Sequence, residues 1–134
     1  MELFVKILID GRGIRKTGIG RYIENTLREM LLLDKNNSYE LLINPSDKKN
    51  IKLKADNLSL VETDVPWFGV KEQTELLKII NKQSPDLVHF TNFNFPVAYR
   101  GKFVITIHDL TLLHFRNLKA SPINKAYYLL KEQI

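Results

Sequence analysis

Short apolar runs rich in β-forming residues alternate along this chain with segments whose apolar residues recur at helical spacing. The runs that we interpret as strands are Leu3–Ile9, Tyr39–Ile43, Leu58–Val61, Leu87–Phe90 and Phe103–Ile107. The segments with helical spacing are Gly20–Leu33, Val70–Ile80 and Ser121–Ile134. Strands that alternate with helices form a parallel sheet covered on both faces. We therefore predict a single Rossmann-like, doubly wound α/β domain over residues 1–134, with a mainly parallel sheet.

Size, charge and cysteine content narrow the class of protein. The chain has 134 residues, enough for one domain, and its net charge of +5 favours anionic partners. No apolar run approaches the roughly 20 residues of a membrane span, and a secretory signal pattern is absent. The lack of cysteine excludes thiolate metal sites and fits a cytoplasmic protein. The histidine spacing predicts no metal site, and no motif supports a nucleic-acid partner.

Four glycines lie within ten positions of the segment "DGRGIRKTGIG", directly after the first apolar run. The dinucleotide fingerprint and the triphosphate-loop motif both fail here, because Lys16 replaces a required glycine and Gly20 replaces a required serine or threonine. We place Gly18 and Gly20 directly before a helix, whose free N–H groups and dipole attract anions. The loop also carries four bases, Arg12, Arg15, Lys16 and Arg21. We predict anion or sugar-phosphate binding, and the alternative is a plain turn with solvated bases.

This prediction implies a result for one substitution. A side chain at Gly20 would block the close approach of a ligand, whereas a surface loop can absorb the added bulk. We therefore expect Gly20→Val to abolish anion binding and to leave the fold intact.

Polar residues also follow the last two predicted strands. Thr91 and Asn92 stand among aromatic residues, an arrangement that either holds a sugar ring or packs the loop onto its own domain. His108 either bonds a ligand with Asp109 orienting it, or pairs with a backbone carbonyl while Asp109 caps a turn. His89 lies inside a strand and is expected to be a core histidine. Because ligands bind beyond the carboxyl ends of parallel strands, these loops predict a site at one edge of the sheet.

A lysine-rich run lies between the second and third predicted strands, at Lys48, Lys49, Lys52 and Lys54. A solvated charged surface is its expected state. Peripheral contact with an anionic membrane is the alternative.

Three segments in this order resemble the N-terminal, acceptor-side domain of family 4 retaining glycosyltransferases, which belong to the GT-B class. The segments are "ILIDGRGIRKTGIGRYIENTLREML", "PDLVHFTNFNFP" and "FVITIHDLTLLHF". The resemblance runs from Leu3 to about Tyr128 and implies one half of a GT-B fold, whose other half binds a nucleotide-sugar. It also implies transfer of a sugar to a glycan or lipid-linked acceptor, without a metal or other cofactor.

The resemblance and the loop chemistry together nominate the site residues. His108 is the expected catalytic residue, through contact with the donor sugar, and no protein nucleophile is implied. The residues expected to bind substrate are Gly18, Gly20, Arg21, Thr91, Asn92 and Asp109. A donor-binding domain is absent from this sequence, so we expect an excised domain or a truncated gene product that is inactive alone and takes such a domain as partner. The expected location is the cytoplasm, with the inner face of the membrane as an alternative.

Overall fold

The computed structural model describes residues 4–109, so Leu3 and the helix predicted from Ser121 lie outside the described part. Its elements in chain order are β1 (Lys6–Asp10), α1 (Thr17–Leu33), β2 (Ser38–Ile43), a 3-10 helix (Pro45–Asn50), β3 (Leu58–Glu62), a π-helical segment (Glu72–Leu76), α2 (Leu77–Gln83), β4 (Leu87–Phe90) and β5 (Phe103–Ile105). The five strands form one parallel sheet in the order β3-β2-β1-β4-β5. The predicted α/β fold with a parallel sheet is confirmed.

Strand β1 lies at the centre of the sheet because both of its faces are apolar. Ile7 and Ile9 pack against the helix α1 side, and Leu8 packs against the side that carries α2. The chain proceeds from β1 to β2 and β3, and then returns across the sheet to β4 on the other side of β1. The strand order therefore reverses between β1 and β4. In open α/β sheets, ligands bind beyond the carboxyl ends of the strands at such a reversal.

Helix α1 begins at Thr17, three residues earlier than predicted. Gly18 and Gly20 therefore lie inside its first turn rather than before it, because the amide of Gly20 already donates to the carbonyl oxygen of Lys16 at 2.5 Å. The face that α1 buries against the sheet consists of Gly20, Ile23, Leu27 and Leu31. Burying an isoleucine or leucine side chain contributes about 1.5–3 kcal/mol, so this face holds the helix in place.

The helix before β4 differs from the prediction in its first turns. Val70, which the periodicity assigns to the apolar face, is 64% exposed, whereas Leu76 and Ile80 are buried as expected. The cause is the π-helical segment, whose wider turn takes one residue more than an α turn. Glu72 stands four residues before Leu76 on the same face of the helix, and its side chain is fully buried.

Strand β5 is exposed, contrary to the prediction of a buried strand. It ends at Ile105 rather than Ile107, and Phe103 and Val104 are 36% and 48% exposed. Among residues 4–109 it pairs only with β4, so it forms an edge of the described sheet. In the same part of the chain, neither helix combines the length and the apolarity that crossing a bilayer requires.

Candidate functional site

The carboxyl ends of β1, β4 and β5 are joined by hydrogen bonds. The Thr91 hydroxyl, directly after β4, donates to the carbonyl oxygen of Asp10 at 2.6 Å. The imidazole of His108, which follows β5, lies with Nε2 2.8 Å from the carbonyl oxygen of Thr91. The strand ends that the sequence predicts to share one edge of the sheet do so.

His108 combines features of both interpretations of the sequence. It pairs with a backbone carbonyl, yet the residue is exposed at the sheet edge. Because a carbonyl oxygen only accepts, Nε2 carries the hydrogen, and Nδ1 of the neutral ring is an acceptor. The ring of Tyr22 crosses the imidazole nearly at right angles, with centroids 5.1 Å apart. Contact of His108 with a sugar stays a prediction.

His89 forms a second polar cluster under the same edge. Its Nε2 lies 2.8 Å from the hydroxyl of Thr106, and the Tyr22 hydroxyl lies 2.8 Å from the same oxygen. Burial lowers the pKa of His89, and the nearby charge of Asp10 opposes the shift in part. The ring is therefore neutral at pH 7 and its Nε2 is satisfied within the fold, as expected of a core histidine.

The amino end of α1 presents unpaired donors. Within residues 4–109, nothing accepts a hydrogen bond from the backbone amides of Thr17, Gly18 and Ile19. Lys16 occupies the N-cap position without a side-chain cap, and no acidic residue lies in the first turn. A Cβ added at Gly18 would meet no atom within 4 Å. This end of the helix therefore has the charge and the space to attract an anion.

Gly20 has a packing role that the sequence did not indicate. A Cβ at this position would overlap the backbone carbonyl oxygen of Ile14 in the preceding loop. The expectation that Gly20→Val leaves the fold intact is therefore wrong, because the obstacle is rigid backbone rather than a flexible side chain. Contact of Gly20 with a ligand stays a prediction, and Gly18 is the glycine at which an added side chain meets open space.

Arg12 does not belong to the free bases of the loop, contrary to the sequence interpretation. Its side chain is 3% exposed, and it donates through Nε and Nη2 to the two carboxylate oxygens of Asp10, at 2.9 and 2.7 Å. Nη2 also donates to Glu72 Oε1 at 2.9 Å. Burial opposes the charge of Arg12, but the carboxylates of Asp10 and Glu72 outweigh this effect and raise its pKa. We call Asp10, Arg12 and Glu72 the buried charge cluster.

The buried charge cluster connects three loops at the carboxyl edge. The amide of Asn94 donates to Glu72 Oε1 at 2.9 Å, and the amide of Asn92 donates to Asn94 Oδ1 at 2.7 Å. Arg12 Nη1 donates to the carbonyl oxygen of Pro66 at 3.2 Å. The side chain of Asn92, like that of Thr91, is therefore buried and bonded within the fold, and its proposed place beside a ligand stays a prediction.

The remaining candidate cations are exposed. Arg15 and Arg21 reach solvent near the amino end of α1, and Lys16 Nζ lies 5.7 Å above the ring of Trp67. In the lysine-rich run, Lys48 is exposed and forms an ion pair with Glu62, which fits a solvated surface. Asp109, the last described residue, is exposed beside His108.

The described residues contain no group of three or more histidine, aspartate or glutamate side chains arranged to hold a metal ion. Comparisons with protein-family models, with curated proteins and with solved structures find no match to this chain.

Proposed function

We propose that this chain is the acceptor-side domain of a retaining glycosyltransferase, which passes a sugar from a nucleotide-sugar to a glycan or lipid-linked acceptor once a donor-binding domain is present. The observation that carries the proposal is that His108 bonds the loop after β4 and lies against Tyr22 in α1, the helix whose amino end is uncapped, at the carboxyl edge of the sheet. The parallel sheet supports it, since a GT-B half requires such a sheet. In this proposal the protein works in the cytoplasm, where nucleotide-sugars are available, or at the inner face of the membrane.

Each part of the edge has a role in this proposal. The amides of Thr17 and Gly18 donate to a phosphate group, with Arg15 and Arg21 adding positive charge nearby. The acceptor nitrogen Nδ1 of His108 takes a hydrogen bond from a sugar hydroxyl. The proposal assigns neither a protein nucleophile nor a metal, and it takes the acceptor to lie beside the loop that carries Thr91 and Asn92.

Reconstitution tests the proposal. The chain is mixed with a separately produced donor-binding domain of a family 4 enzyme, and transfer from a labelled nucleotide-sugar is measured with each part alone and with both. We expect transfer only with both parts, and a fall of about tenfold or more with His108→Ala, the effect of losing about 1.4 kcal/mol at the transition state. Asn25→Ala, on the exposed face of α1, is the matched control. Equal rates for wild type and His108→Ala would contradict the role of the histidine.

The uncapped helix end by itself favours a second candidate, a non-catalytic module that binds a sugar phosphate or another anion. The probe is pyrophosphate, titrated against the isotope-labelled chain while the amide signals of Thr17, Gly18 and Ile19 are followed by NMR. Binding that Gly18→Val weakens, without transfer in the reconstitution, selects this candidate. If Gly18→Val leaves the affinity for pyrophosphate unchanged and the affinity falls steeply with salt concentration, the result indicates general attraction to the basic surface, as for anionic membranes or nucleic acid.

A further inference from the structure

Tyr22, in the second turn of α1, contacts both histidines of the sheet edge. Its ring centroid lies 5.1 Å from that of His108 and 6.1 Å from that of His89, and both pairs cross nearly at right angles. Its hydroxyl bonds the Thr106 hydroxyl, which also bonds His89 Nε2, each at 2.8 Å. One side chain thus joins α1 to the carboxyl ends of β4 and β5.

We infer that Tyr22 is the positioning residue of the His108 imidazole. The carbonyl of Thr91 holds one ring atom, Nε2, and a single hydrogen bond leaves the ring free to turn about that contact. The edge-to-face contact with Tyr22 supplies a second, independent constraint. Together the two contacts fix the tautomer of His108 and the direction of Nδ1. The inference rests on the proposed function only for the identity of the group that Nδ1 meets.

His108 requires such support because the sheet does not hold its backbone. Strand β5 ends at Ile105, and within residues 4–109 its last backbone hydrogen bond runs from the Thr106 amide to the carbonyl oxygen of Phe90 at 2.9 Å. His108 lies two residues further on and is exposed. Its geometry therefore depends on side-chain contacts, and α1, with its buried apolar face, is the rigid element that provides one.

The two halves of the Tyr22 side chain have separate roles. Its hydroxyl bonds the Thr106 hydroxyl, which in turn bonds His89, whereas its ring packs edge to face against His108. Tyr22→Phe removes the first role and keeps the second. Tyr22→Leu removes both, so the difference between the two variants isolates the contact of the ring with His108.

The test is histidine NMR on the free chain. Long-range correlation of ring protons with ring nitrogens reports which nitrogen of His108 carries hydrogen, at a pH where the ring is neutral. We expect the Nε2–H tautomer to dominate in the wild type and in Tyr22→Phe. In Tyr22→Leu we expect its excess over the other tautomer to fall on the order of fivefold, the preference that one net hydrogen bond confers. Asn25→Leu, on the exposed face of the same helix, is the control and should change nothing.

A merely structural role for Tyr22 gives a different result, in which Tyr22→Leu lowers the unfolding midpoint while the folded molecules keep the tautomer of His108. That result would overturn the inference. A wild-type measurement guards against a Tyr22→Leu variant that does not fold, because the ring protons of Tyr22 and His108 should show nuclear Overhauser contacts. Their absence would also overturn the inference. None of these measurements needs a substrate, so a failure of the proposed sugar transfer is seen separately, in the reconstitution.

Discussion

Arg12→Met should be the most destabilising exchange of an arginine in the described part of this chain. The substitution keeps most of the side-chain volume and removes the charge, and it leaves the carboxylates of Asp10 and Glu72 buried without their common cation. The loops after β1, β3 and β4 then lose the group that connects them. The expected result is a large loss of stability, with the least ordered backbone at the carboxyl edge.

The distances and the burial within the buried charge cluster determine how much stability Arg12→Met removes. The guanidinium makes charge-assisted hydrogen bonds of 2.7 to 2.9 Å to both carboxylates, and the Glu72 side chain is 0% exposed. Removing one partner of a buried ion pair costs about 3–5 kcal/mol. Two carboxylates are affected here, so we place Arg12→Met at the upper end, about 4–5 kcal/mol, within a total stability of about 5–15 kcal/mol for a domain.

Glu72→Gln is the informative partner of this variant. The cluster has one cation and two anions, so the glutamine leaves a single balanced pair, Arg12 with Asp10. Its amide oxygen still accepts from Arg12 and Asn94. We expect Glu72→Gln to cost about 1–2 kcal/mol, and the double variant to cost less than the sum of the two single ones, since the charges interact directly.

Urea unfolding at pH 7, followed by circular dichroism, measures these differences. Arg15→Met, in the same loop but exposed, is the matched control and should stay within about 0.5 kcal/mol of the wild type. A loss in the free energy of unfolding below about 1.5 kcal/mol for Arg12→Met would lie in the range of an ordinary hydrogen bond, and it would refute the reasoning from the buried charge cluster.

Four further predictions concern other parts of the described structure. Gly18→Ala should leave the free energy of unfolding unchanged or raise it by up to about 1 kcal/mol, because alanine favours a helix more than glycine does. Gly20→Ala should lower it by about 1–3 kcal/mol, because the added Cβ overlaps backbone. Equal melting temperatures for the two variants would contradict this. The hydrogen bond that Tyr39 donates lowers the pKa of Asp34. The stability that the Asp34 carboxylate contributes is therefore fully present above about pH 4 and is lost progressively as the pH falls below that value. The urea midpoints of wild type and Asp34→Asn should thus differ at pH 7 and converge as the pH falls toward about 2. Burial, with Asp34 nearby, raises the pKa of Tyr39 to about 12, so the wild type should lose stability relative to Tyr39→Phe as the pH rises from about 10 toward 12. His108→Ala should cost at most about 1.5 kcal/mol in thermal unfolding, because one hydrogen bond and an exposed side chain are lost, and a larger loss would indicate a structural histidine.

The parallel sheet could be predicted because its signal is local. Runs such as Leu87–Phe90 are apolar and rich in β-forming residues, and the helical spacing of Ile23 and Leu27 is visible within a few turns. The meeting of polar loops at one edge follows from the same pattern, since all strands are parallel and their carboxyl ends share that edge.

The burial of Arg12 could not be predicted because it depends on a distant partner. Arg12 stands between two glycines in a basic loop, and its partner Glu72 is 60 positions away, where a glutamate is expected to reach solvent unless it is paired. The role of Gly20 was missed for a similar reason, since only the folded loop brings the Ile14 carbonyl against it. The usable local signal was Asp10, an acid two residues before Arg12 at a strand end.

The π-helical segment lets this protein accept the loss of a residue at one place. A π turn contains one residue more than an α turn, so losing a residue between Glu72 and Leu76 would restore a regular helix. Glu72 would then stand three residues before Leu76 and would stay on the face that meets Arg12, because residues three and four apart share one face of a helix. A single-residue deletion here should therefore be tolerated better than one between Ile23 and Leu27 of α1, which would rotate the preceding turns by about 100° relative to the buried face.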